Sequence, residues 1–98
     1  MIYNLVLKEE ADNDVFEAYN WYESRLKGLG DQFLDELENY LVFLEKNPKV
    51  YQIRKSKRRL CPLKRFPYVI VYEIELYNII VYAVFNTNQN PLKLNKRK

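Results

Sequence analysis

Two apolar runs lying a few residues apart constrain this chain more than any other feature. FPYVIVYEI places Phe66, Tyr68, Ile70, Tyr72 and Ile74 on one face and Val69, Val71, Glu73 and Glu75 on the other. After a turn near Leu76 to Asn78, IIVYAVFN returns. Strict alternation puts Ile80, Tyr82, Val84 and Asn86 on one side, with Ile79, Val81, Ala83 and Phe85 opposite. Both runs are apolar on both faces over their middles, as strands in the interior of a sheet are. A connection this short makes them an antiparallel hairpin. Such a pair needs further elements beside it and over it.

The N-terminal half supplies them. IYNLVL alternates Ile2, Asn4 and Val6 against Tyr3, Leu5 and Leu7, the pattern of a short strand. The segment EEADNDVFEAYNWYESRLKGLG then opens with Glu9, Glu10, Asp12, Asp14 and Glu17 and closes with Arg25 and Lys27. That is the charge order a helix dipole favours. Val15, Ala18, Tyr19, Tyr22 and Leu26 follow one helical face, Gly28 suits a C-cap, and Gly30 opens the next element. In DQFLDELENYLVFLEKNP the stripe is Phe33, Leu34, Leu37, Tyr40, Leu41 and Leu44, ended by Asn47-Pro48. The short link folds the helices into an antiparallel hairpin. KVYQIRKSKRRL reads as a further, basic strand. The expected fold is therefore α+β in the order β-α-α-β-β-β. A helical hairpin packs on one face of a small, mainly antiparallel sheet, in a single domain over residues 1–98.

The longest apolar run, Ile79 to Phe85, is far shorter than the roughly 20 residues that cross a bilayer. No signal peptide is visible and Cys61 is the lone cysteine, so a soluble protein in the reducing cytoplasm is expected. Cys61 itself reads as a buried strand residue rather than a nucleophile, since the chain has no histidine to activate it. The same lack, with no dense carboxylate cluster and no glycine-rich phosphate loop, leads us to expect no metal and no cofactor.

Charge is divided sharply. Residues 1–48 hold four Lys or Arg against eleven Asp or Glu, a net of −7, whereas residues 49–98 hold twelve against two, a net of +10. The acids read as a solvated helix face. The bases concentrate as Arg54, Lys55, Lys57, Arg58, Arg59, Lys64 and Arg65, with Lys93, Lys96, Arg97 and Lys98 at the end. On adjacent strands they would converge on the sheet face that the helices leave uncovered, a footprint for phosphates or an acidic protein segment. Cleaving RNA through its 2′-hydroxyl needs a base and an acid as well as cations. The sheet offers only Glu73, Glu75 and tyrosines for that work, and tyrosine near pKa 10 is a weak base.

The joint spacing of several segments resembles the RelE/ParE toxin superfamily of type II toxin–antitoxin modules, in particular its ParE-like plasmid-stabilisation branch. The residues are Ala11, Asp14, Val15, Glu17, Ala18, Trp21-Tyr22-Glu23, Gly28-Leu29-Gly30, Phe33, Glu36-Leu37, Asn47-Pro48, Tyr51, Arg65 to Tyr68, and Ala83 to Pro91. The resemblance implies the same β-α-α-β-β-β layout and a cognate antitoxin as partner. It implies one of two targets: DNA gyrase, inhibited by binding, or mRNA cut on the ribosome. A third possibility is a degenerate toxin that only binds its antitoxin. The Gly-Tyr-Arg of RNA-cutting members stands here as Pro67-Tyr68-Val69, and the lysines they place before it fall near Cys61 and Pro62. Where relatives read F-H-T-S-R-N-P, this chain has Phe85-Asn86-Thr87-Asn88-Gln89-Asn90-Pro91. The family site positions Asn86, Asn88 and Gln89 thus carry amides and a gyrase-binding, non-cutting toxin is the preferred expectation.

The positive half, with Arg54, Lys55, Lys57, Arg58, Arg59, Lys64, Arg65 and Tyr68 as its candidate contacts, generates the first test. Exchanging Arg58, Arg59 and Arg65 together for Glu is expected to weaken antitoxin or target binding strongly in a titration. Unchanged affinity would reduce the patch to solvation.

Overall fold

The computed structural model describes residues 2–54 and 56–89. Its elements are β1 (Asn4–Leu7), α1 (Glu9–Arg25), α2 (Leu29–Lys46), β2 (Arg59–Pro62), β3 (Tyr68–Glu75) and β4 (Asn78–Asn86). The sheet runs β1-β4-β3-β2, with β1 parallel to β4 and the other pairs antiparallel. The central pair is the apolar hairpin, turned at Leu76 and Tyr77, and the two helices lie on one sheet face. No described helix is long and apolar enough to cross a membrane.

Alternation sets the core. Tyr3, just before β1, and Leu5 and Leu7 of β1 pack inward, as do Phe33, Leu34, Leu37, Tyr40, Leu41 and Leu44 of α2, against Ile70, Tyr72, Ile79 and Val81. An aromatic cluster ties the layers. The Tyr22 ring lies 5.0 Å from Phe66, 5.6 Å from Phe33 and 6.1 Å from Tyr68, and Phe33 lies 5.1 Å from Tyr68. Leu26 departs from its expected place on the α1 stripe. The chain leaves the helix there in an extended conformation (φ −155°), and its side chain is exposed.

The helix link depends on one carboxylate. Glu23 accepts the N–H groups of Gly28 (2.9 Å) and Gly30 (3.0 Å), satisfying donors at the start of α2. Gly28 does not cap α1 but precedes α2 with φ +89°, a left-handed conformation that glycine adopts freely. Gly30 sits inside α2, where a Cβ would come within 2.8 Å of the Tyr19 carbonyl oxygen.

Two expectations about the strands change. The basic segment is not a strand from Lys49: only Arg59–Pro62 pairs with β3. Before it, Ser56 (φ 56°) and Lys57 (φ 67°) turn the chain back, closed by the Arg54 N–H donating to the Arg58 carbonyl and by an isolated Ile53–Arg59 bridge. More consequentially, the β3–β4 register slips. Tyr72 pairs with Val81 but Val71 pairs with Ala83, so Tyr82 is an extra residue, a β-bulge. Past it the faces of β4 exchange. Val84 joins Ile79 and Val81 on the helix side, while Ala83 and Phe85 join Val69, Val71 and Leu60 on the other.

Two changes test this packing. Gly30→Ala must displace the Tyr19 backbone or its ring and is expected to cost about 1–3 kcal/mol in a urea unfolding curve. Tyr72, wholly buried, donates to the Pro48 carbonyl at 2.7 Å. Burial, helped by the Cys61 thiol and opposed by Arg59, pushes its phenol up to about 12. A raised folded-state value means stability is complete below about pH 10 and lost as pH climbs through 12. Tyr72→Phe should therefore cost about 1–2 kcal/mol at neutral pH and show a shallower alkaline decline than the parent.

Candidate functional site

The far end of the β3–β4 hairpin meets α1 in a cleft of about 390 Å³. Asp14, Glu17, Ala18 and Trp21 line it from α1, at the i, i+3, i+4, i+7 spacing of one helical stripe. Tyr68 begins β3, Val84, Phe85 and Asn86 end β4, and Gln89 follows. The bulge at Tyr82 brings Asn86 here. Unbroken alternation would have set Asn86 on the same side as Tyr82, away from Val81, whereas it now pairs with Tyr68 at the helix side of the sheet.

The cleft opens because β1 stops short. β1 accompanies β4 only to the Leu7–Val81 pair, where the Lys8 N–H bonds the Val81 carbonyl. Beyond that point Asp14 reaches from α1, and its Oδ2 accepts the Val84 N–H at 3.0 Å. An edge donor of the sheet is thus satisfied by a helix carboxylate, which fixes α1 against β4.

Asn86 organises the turn after β4. Its Oδ1 accepts the Asn88 N–H at 2.8 Å, its carbonyl accepts the Gln89 N–H, and its Nδ2 donates toward the Tyr68 hydroxyl at 3.4 Å. Both the N–H and the hydroxyl of Thr87 donate to the Pro67 carbonyl, tying the turn to the start of β3. Burial holds the Tyr68 phenol above its ordinary value; the Asn86 bond opposes this, while Asp14 and Glu17 add to it. Tyr68 is therefore neutral at physiological pH, able to donate a proton in a hydrogen bond but not to act as a base.

Among the described residues the candidate cations do not gather on one sheet face. Arg59 donates to the Tyr51 carbonyl and holds the loop after α2. Arg65 turns toward α2: its N–H bonds Glu36 Oε2 and its Nη2 bonds Gln32 Oε1, both at 2.8 Å. Arg58 stands on the side away from the helices, 3.7 Å from Glu73 and over the Tyr82 ring, which Lys8 also approaches at 5.8 Å. Arg54, Lys57 and Lys64 are exposed. The middle of that face is the buried apolar cluster of Val69, Val71, Ala83 and Phe85. Arg59 and Arg65 are thus drawn away from the expected platform to nearby carbonyl and carboxylate acceptors. Lys55, Lys93, Lys96, Arg97 and Lys98 lie outside the described residues, as do Asn90 and Pro91. Among the described residues no group of three or more His, Cys, Asp or Glu is placed to hold a metal, and Cys61 is buried with its thiol pushed up by that burial.

Of the site positions expected from sequence, Asn86, Gln89 and Tyr68 come together in the cleft; Asn88 contributes its N–H to the Asn86 turn. In the sequence Asp14, Glu17 and Trp21 belong to a solvated helix face or to the family motif. Their common spacing on one stripe, with Ala18 small between them, was the available signal.

Similarity agrees with this geometry. The family described as "ParE toxin of type II toxin-antitoxin system, parDE" matches residues 5–91. No curated protein sequence matches the chain. Among solved structures, a chain of the chromosomal ParDE TA system from P. aeruginosa superposes with a TM-score of 0.77 at 13% identity, covering 87% of this chain and 96% of that one. The chain belongs to the ParE toxin family.

Removing the helix-to-edge bond isolates its role. Asp14→Ala should cost about 1–3 kcal/mol, the penalty of leaving a part-buried donor unmet, and should speed hydrogen exchange at the Val84 amide more than at Val81.

Proposed function

We propose that this chain is a growth-inhibiting toxin that acts by binding DNA gyrase rather than by cutting RNA, and that a cognate antitoxin neutralises it. Membership of the ParE family supports the toxin–antitoxin role. The observation that carries the finer reading is electrostatic. The described residues of the cleft include two carboxylates, two amides and a neutral tyrosine, and no Lys or Arg. A phosphodiester approaching Asp14 and Glu17 is repelled, and two of the candidate cations for stabilising a phosphorane are bonded elsewhere, Arg59 to Tyr51 and Arg65 to Glu36 and Gln32. This strand end suits contact with a polypeptide better than catalysis on a polynucleotide.

The test is induction of the chain without antitoxin in growing bacteria, with growth, mRNA 5′ ends and supercoiling by purified gyrase followed together. Growth arrest, inhibited supercoiling and no new codon-phased ends are expected. New phased ends would make it an mRNA interferase, and normal growth with an intact antitoxin complex would leave a degenerate toxin.

A further inference from the structure

The cleft combines features that select a cation. Trp21 is 53% exposed, although an indole normally gains by burial, and it lines the cleft beside Tyr68. Arg25 stacks on the indole at 3.8 Å but is not among the residues lining the cleft. Glu17 projects from the same stripe and, among the described residues, forms no hydrogen bond or ion pair. Asn86 and Gln89 line the cleft from the end of β4 and the turn that follows. Aromatic faces with carboxylates beside them attract a guanidinium or ammonium while accepting its apolar stem. Volume agrees, since about 390 Å³ holds one long side chain and its neighbour but no folded element.

We propose that this cleft docks a Lys or Arg side chain, flanked by an aliphatic residue, from the polypeptide that neutralises the toxin. This deepens the toxin–antitoxin reading and rests on it. It also reverses the charge expectation for that partner at this site: the antitoxin must bring a base here, whatever acids it brings to the positive half. Electrostatic complementarity of this kind fixes register as well as adding affinity.

Trp21 is the only tryptophan in the chain, so its fluorescence reports this cleft alone. The probes are the capped peptides acetyl-Leu-Arg-Leu-amide, its norleucine analogue and its glutamate analogue. The arginine peptide should change the emission saturably at millimolar concentration. Glu17→Gln, an exposed helix-surface change, should weaken it about fivefold, consistent with one solvent-accessible charge pair, and salt should weaken it further. The glutamate peptide should not bind, and the norleucine peptide should bind more weakly than arginine. Equal responses to arginine and glutamate peptides, no effect of Glu17→Gln, or no saturable response up to about 10 mM would each overturn the proposal. Because growth plays no part in the titration, a chain that binds the arginine peptide yet fails to arrest cells overturns only the toxin reading.

Discussion

The aromatic cluster of Tyr22, Phe33, Phe66 and Tyr68 is the contact on which the molecule depends. One ring comes from each helix, one from the turn before β3 and one from β3 itself, so four parts of the chain meet at one point. Edge-on and tilted ring pairs are each worth about 0.5–1.5 kcal/mol beyond the area they bury. In a domain with only two helices over four strands, several such pairs are a large share of the margin. Tyr68 does two jobs within it. Its ring is core, only 7% exposed, while its hydroxyl meets Asn86 at the floor of the cleft. The cleft is therefore built directly on the core.

A second organising principle is the use of α1 and α2 carboxylates as backbone acceptors. Glu23 serves the start of α2, Asp14 the edge of β4, and Glu36 the Arg65 N–H. Each binds a donor that secondary structure leaves unmet. The negative half of the chain is thus partly structural. What remains unspent, Glu17 above all, sets the field of the cleft. The positive half is likewise divided, between Arg59 and Arg65, which hold the loop after α2 and α2 itself, and exposed bases such as Arg54, Lys57 and Lys64.

The fold was legible in the sequence because burial imposes period. β3, β4 as far as Val81, the inward side of β1 and the α2 stripe all follow from alternation or helical spacing, and each packs as that spacing demands. The site was less legible, for three physical reasons. A bulge has no distinct residue signature in IIVYAVFN, so Asn86 could not be assigned to its face. An arginine's partner depends on tertiary proximity, so Arg59 and Arg65 looked like free charge until Tyr51, Glu36 and Gln32 were in place. Finally, an acid that receives a backbone N–H looks the same in sequence as one that faces water, which hid Asp14.

The bulge at Tyr82 also bears on how this chain should be compared with its relatives. The bulge absorbs one extra residue and keeps the pairs that follow it, so past Tyr82 an alignment drawn without a gap would place residues from opposite sides of the sheet in one column. A relative without the extra residue would carry the counterpart of Asn86 one position earlier, still opposite the counterpart of Tyr68 and on the helix side. Loss of the Tyr82 codon would therefore remove one side chain from the outer face and leave both surfaces beyond it as they are, so the strand can change length at this point without a change in the site.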